Sequence, residues 1–430
     1  MLKDKSELIS FVLNDSSGQS SSWDCINYGL LGSSGNKKLR KVDDVDDGEQ
    51  SRIGNKLPQH PETPSIDDVQ RNLSCRGNDA DCSNDSRMLI NPLGKDMTMN
   101  CLLHLSRSYY GTVAALNTSF RSLIQTGELY KVRRQMGISE HWIYFSCSLT
   151  EWEAYDPYRG LWFRLPPMPP TGSFMNSDKE SLAVGTDLLV FGKEINSHIV
   201  MRYSILSNSW SRGVVMSSPR CLFASASLGG KAIVAGGTSA CGEALDSVEL
   251  YDSETERWVT LPSMIKARSK CSGAFMDGKF YVIGGMDGNK KVLTCGEEYD
   301  FESCSWRFIS DMSDGLNGAS GAPPLLAVVN NVLYAAHYAD NVNVVRKYDK
   351  ESNSWSTLGQ LPERSASVNG WGLAFRACGE KLIVIGGPRE YHTGIIEINS
   401  WIPNEREPEW KLMVRKESGN FVYNCAVMSC

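Results

Sequence analysis

The side chains able to do chemistry are plentiful in this sequence but poorly grouped for it. The six histidines, His60, His104, His141, His198, His337 and His392, show no close ligand spacing, and none of the 13 cysteines forms a C-x-x-C pair. Neither pattern supplies the convergent nitrogen and sulfur ligands that hold zinc or copper, so no metal and no cofactor is expected. There is no phosphate-binding P-loop, no G-x-S-x-G nucleophile turn and no dinucleotide fingerprint. What remains is recognition chemistry. Three arginines stand in related contexts, Met216-Ser-Ser-Pro-Arg220, Met264-Ile-Lys-Ala-Arg268 and, one residue out of register, Leu361-Pro-Glu-Arg364. A guanidinium forks carboxylates and phosphates, so arginines brought together would suit an acidic or phosphorylated segment or an acidic small molecule. The competing reading is ion pairing between neighbouring loops.

The elements that position these arginines come from a repeat. Tyr155, Tyr203, Tyr251, Tyr299 and Tyr348 are spaced 48, 48, 48 and 49 residues apart, and each is followed seven positions later by Trp162, Trp210, Trp258, Trp306 or Trp355. Four of the five stretches between them carry a turn-forming middle, as in YDSETERW and YDKESNSW, which suits a hairpin. Apolar runs ending in glycine pairs lie between the Tyr-Trp pairs: Gly236-Gly237, Gly284-Gly285 and Gly386-Gly387, with decayed copies in LLVFGK and VLYAAH. Ahead of each run sits a second apolar stretch and a two-residue turn, Gly229-Gly230, Asp277-Gly278 or Asn330-Asn331. Each unit is therefore four short antiparallel strands.

Four-stranded units repeating at this length, with paired glycines and Tyr-x6-Trp, resemble the kelch motif, which builds a mainly β propeller. Five complete units span about 180–215, 222–265, 271–312, 325–361 and 371–414. The stretch from His141 to Met168 carries a second, third and fourth strand without a first, whereas FVYNCAVM near the end looks like a first strand alone. Joined, they predict a six-bladed ring over 140–430, closed by both termini, with no open edge left at the seam. The recurring tryptophans and glycines are read as packing and backbone devices with no chemistry of their own.

Between 88 and 137 the period changes to that of helices. Met97, Cys101, Leu102 and Leu105 form one apolar stripe, Val113, Leu116, Phe120, Leu123 and Ile124 a second, and Leu129, Val132 and Met136 a third, which predicts three short helices. So small a unit needs another surface for its apolar faces. Immediately ahead of a kelch propeller, this stretch resembles the F-box of plant F-box/kelch-repeat proteins. The resemblance implies a non-catalytic receptor: the F-box docks a Skp-type adaptor of a cullin-RING ubiquitin ligase, and the propeller recruits an unidentified target protein for ubiquitination. It assigns Pro92, Leu93, Leu102, Leu105 and Leu116 to the adaptor and, on a rim of loops leading into first strands, Arg220, Arg268 and Arg364 to the target. Asn91-Pro92-Leu93 inverts the family's usual Leu-Pro opening. A scaffold that has lost adaptor binding and a propeller enzyme are the alternative classes.

Composition narrows the partners further. Lys plus Arg total 44 against 50 Asp plus Glu, a net charge of −6, which offers no basic surface for nucleic acid. Scattered cysteines in odd number read as reduced thiols, and no 18-residue apolar run is present, so a soluble protein of the nucleus, the cytoplasm or both is expected, without membrane contact. Residues 1–87 are rich in Ser, Asn, Asp, Gly and Lys and are expected to be disordered. Within them Lys37, Lys38, Arg40 and Lys41 precede four aspartates, which reads as a nuclear-import signal or as a solvated linker.

Overall fold

The computed structural model describes residues 94–147, 151–169, 180–193, 198–316, 323–339, 342–364, 372–388, 394–404, 406–419 and 421–430. The expected disordered segment, its basic cluster, Pro92 and Leu93 lie outside the described residues.

From residue 141 onward the chain forms six four-stranded antiparallel sheets. Blade 1 joins 141–164 to 424–429; blades 2 to 6 take 180–212, 224–261, 272–309, 325–360 and 374–417. The ring closes as the sequence predicts, because Asn424–Ser429 pairs along the whole of His141–Ser146 as the innermost strand of blade 1. Each blade is fixed by local chemistry. Asp277-Gly278 and Asn330-Asn331 hold positive φ at both positions, the geometry of the tight turn between first and second strands. After Tyr155, Tyr251 and Tyr299, the aspartates 156, 252 and 300 each accept backbone N–H bonds from two and three residues ahead, which bends the chain into the fourth strand.

Tyrosine and tryptophan stand directly opposite each other across the third and fourth strands, with ring centroids 4.7 to 5.4 Å apart. The indole N–H then reaches back to the preceding blade: Trp210 donates to the Pro166 carbonyl, Trp258 to Val214, Trp306 to Pro262, Trp355 to Met312 and Trp410 to Gln360. These tryptophans are therefore staples between blades as well as packing within them, which explains why the spacing of the repeat is held so closely.

Among the described residues ahead of the ring there are four α-helices instead of three: α1 (Gly94–Leu103), α2 (Tyr110–Leu116), α3 (Thr118–Gln125) and α4 (Glu128–Gln135). The predicted second helix is cut at Asn117. That residue is extended, at φ −160° and ψ 168°, and its side-chain oxygen accepts the Phe120 N–H, so it caps a new helix instead of continuing the old one.

Candidate functional site

The helical segment is built onto blades 1 and 2. Leu102, Leu103, Tyr110, Leu129 and Tyr130 share one apolar core with Trp142, Tyr144, Met201 and the closing-strand residues Ala426 and Met428. A polar clasp completes the joint. The Glu140 carboxylate accepts from Ser106 Oγ at 2.7 Å, from the Arg107 backbone N–H at 3.2 Å and from Arg133 at 3.0 Å, while its own peptide groups exchange bonds with Cys430. Arg133 is buried and also donates to the carbonyls of Leu103 and Leu105, and the Arg107 guanidinium lies 4.1 Å over the Trp142 ring. Neither the clasp nor its glutamate was legible in the apolar stripes, because its members are polar and far apart in sequence.

This joint sorts the expected adaptor residues. Leu102 is 4% exposed and belongs to the shared core, so it presents nothing to a partner. Leu105 and Leu116 are 38% and 63% exposed, and Met97 and Tyr109 stand out from the segment with them. A groove of about 580 Å³ on the same segment is lined by Leu123 and Glu128 together with the threonines and serines Thr98, Thr118, Ser119, Ser122 and Thr126. The helices thus keep their shape through the propeller and leave apolar side chains in solvent.

The three arginines expected on the rim are buried side chains. Arg220 bonds Glu249 at 2.8 Å and Arg268 bonds Glu297 at 2.5 Å; Arg364 lies 3.4 Å from Glu397. Arg220 also spans the base of a long loop, donating to Gly236 O and Ser247 O, and Arg268 does the same to Gly284 O and Cys295 O. Glu249 and Glu297 in turn accept backbone N–H bonds from the loop before their arginines. Burial pulls the Arg220 guanidinium below its ordinary pKa, with Glu249 working against it. Arg220 and Arg268 are spent on clipping loops and Arg364 on Glu397 and Asn399, so the structure corrects the reading of Arg220, Arg268 and Arg364 as an open anion rim. The signal was in the sequence: 29 residues separate Arg220 from Glu249 and Arg268 from Glu297.

Among the described residues no group of three His, Cys, Asp or Glu side chains could hold a metal, and no helix is long and apolar enough to cross a membrane. The kelch motif model matches residues 219–265 and 267–313, which are blades 3 and 4 with their leading loops. The chain is 57% identical to the F-box/kelch-repeat protein SKIP11 of Arabidopsis thaliana over 81% of its own length and 76% of that protein's. Two further F-box/kelch-repeat proteins of the same plant are 53% and 52% identical, over 83% and 79% of this chain and 87% and 79% of theirs. With a six-bladed ring, a helical segment clasped to it and relatives this similar, the chain belongs to the F-box/kelch-repeat protein family.

Proposed function

We propose that this chain is the non-catalytic target-recognition subunit of a Skp adaptor–cullin–F-box ubiquitin ligase. The helical segment docks the adaptor, and the propeller holds a target protein for ubiquitination in the nucleus or cytosol. The observation that carries this is the exposure of Leu105 and Leu116, with Met97 and Tyr109, on a helical segment otherwise locked to the ring. Apolar side chains held rigidly in solvent are what a protein partner buries. Rigid attachment also fixes the direction in which a bound target is presented.

The test is binding of the purified chain to a Skp-type adaptor, beside a variant carrying Leu105→Asp and Leu116→Asp. Leu102 is left untouched because a buried aspartate there would break the shared core. The expected outcome is binding by wild type and its loss in a variant whose propeller remains folded. A well-folded wild type that binds no adaptor sinks the ligase reading and leaves a scaffold.

A further inference from the structure

A repeat states its structural needs six times, so a blade that departs from the others at matched positions points to a task beyond folding. One row crosses the second, third and fourth strands of every blade just beside the Tyr-Trp pair. It reads Tyr144, Ala154, Phe163 in blade 1, Leu189, Arg202, Ser211 in blade 2 and Ile233, Leu250, Val259 in blade 3. In blade 5 it is Tyr334, Lys347, Ser356 and in blade 6 Ile383, Ser400, Lys411. Blade 4 alone places a carboxylate there, in the row Tyr281, Glu298, Arg307.

These residues line a cleft of about 470 Å³ between blades 4 and 5, whose other walls include Phe308, Tyr348 and Lys350. Glu298 is 4% exposed and accepts from Arg307 Nε at 2.7 Å and from Lys279 at 3.1 Å. Lys279 also lies 3.4 Å from Asp300, and Lys350 is engaged by Asp277. Arg307 differs from both. Its side chain is 67% exposed and is gripped through Nε alone, so its two terminal amino groups have no protein partner among the described residues. The related arginine of blade 2 is closed off, since Arg202 bonds both Asp187 and Glu256.

A guanidinium oriented through Nε by a buried carboxylate, with both terminal amino groups left over, is preset for a planar two-oxygen acceptor. We propose that the cleft between blades 4 and 5 is a second recognition site, in which Arg307 receives a side-chain carboxylate from an acidic segment of a partner protein. Glu298 is the positioning residue, and Phe308 and Tyr348 offer the segment apolar walls. The site lies on the outer edge of the ring, where the fourth strands run, and is separate from the helical segment.

The test uses the full chain and a fluorescein-labelled, end-blocked peptide of alternating glycine and glutamate, read by anisotropy at low ionic strength. Arg307→Gln is expected to weaken binding about tenfold or more, the weight of one charge-assisted pair. Lys411→Gln, at the matched position of blade 6, is expected to leave it unchanged. No binding by wild type overturns the proposal, as do equal losses in the two variants, which signify diffuse attraction. Inorganic phosphate that binds where the peptide does not overturns the carboxylate assignment. Both substitutions are on exposed side chains, and circular dichroism confirms that each variant is folded.

Discussion

Blades 3 and 4 and blades 2 and 5 share one architecture and differ in how they leave their second strand. In blades 3 and 4 that strand stops after five residues, at Ala235 and Ile283, and Gly236-Gly237 and Gly284-Gly285 turn the chain away at positive φ. The long loops that follow are folded back as bridged ribbons and clipped at their base by Arg220 and Arg268. In blades 2 and 5 the glycine pair is missing and the strand runs on, to Lys193 and Ala339. Where a residue with a Cβ stands in place of the second glycine, extension of the strand is the lower-energy path. The glycine pair and the arginine thus work as one device that converts strand into an ordered loop.

The sharpest way to break that device is to remove one side of a buried ion pair. Arg268→Met leaves Glu297 buried without its cation and frees the carbonyls of Gly284 and Cys295. A loss of about 3–5 kcal/mol in denaturant unfolding is expected. Adding Glu297→Leu to the same chain should recover part of the loss, because the uncompensated charge is then gone. Blade 5 offers no comparable clip among the described residues, so no equally costly polar substitution is expected there.

Next in size is the glycine itself. At Gly285, with φ of +99°, a Cβ would lie 2.5 Å from the Ser269 carbonyl oxygen and 2.9 Å from the Cys271 side chain. Gly285→Ala should cost about 1–3 kcal/mol, and the melting transition would report it. In blade 5 the position matching Gly285 is Tyr338, inside an intact strand, and a glycine placed in that strand by Ala336→Gly, at the position matching Ile283, should cost only about 0.5–1 kcal/mol. Similar losses from the two would mean that the glycine pair does not set the loop.

Much of this architecture was legible because a repeat reports its own register. Tyrosines and tryptophans at fixed spacing gave the hairpins, and incomplete units at the two ends gave the closing blade. Exposure was harder to read. Arg220 looks like a loop arginine until Glu249 is recognised as its partner, and Leu102 looks like any member of an apolar stripe until it joins the core that also holds Trp142 and Met428. Burial of a side chain depends on surfaces brought together from distant residues, which local periodicity does not encode. The cut at Asn117 was missed because one capping side chain outweighed an otherwise continuous apolar stripe.

The polar row of blade 4 sharpens the comparison through pH. Burial alone would raise the Glu298 carboxyl, but hydrogen bonds from Arg307 and Lys279, with the Tyr281 phenol, outweigh it and bring it down to about 2 from an ordinary 4.5. Its folded-state value lies below its unfolded one, so ionised Glu298 contributes stability that is full above about pH 4.5 and lost as pH falls toward 2. Wild type and Glu298→Gln should therefore differ in stability at pH 6 to 7 and converge near pH 2 to 3, about where the carboxyl protonates. Blade 3, with Leu250 at the matched position, has no carboxyl in this row to titrate. A difference independent of pH would assign the effect to packing.

The smallest effect exchanges one residue between the two kinds of blade. In the turn before the fourth strand, one position holds left-handed backbone in five blades, at Gly160 with φ of 67° and at Asn208, Glu256, Cys304 and Asn353 with φ between 49° and 52°. Asparagine tolerates that conformation better than other residues bearing a Cβ, because its short amide can bond locally. In blades 2 and 5 it does more: Asn208 accepts the Tyr203 hydroxyl at 2.7 Å, and Asn353 accepts that of Tyr348 at 2.7 Å. Blade 4 has Cys304 there, a weak acceptor facing the Tyr299 phenol. Cys304→Asn should relieve the backbone and give Tyr299 an oxygen to donate to, a gain of about 0.5–1 kcal/mol in unfolding free energy. No gain, or a loss, would show that the thiol's packing against Phe301 and its neighbours outweighs the turn chemistry, and that the irregular blades have optimised this turn in a way that the regular ones cannot adopt.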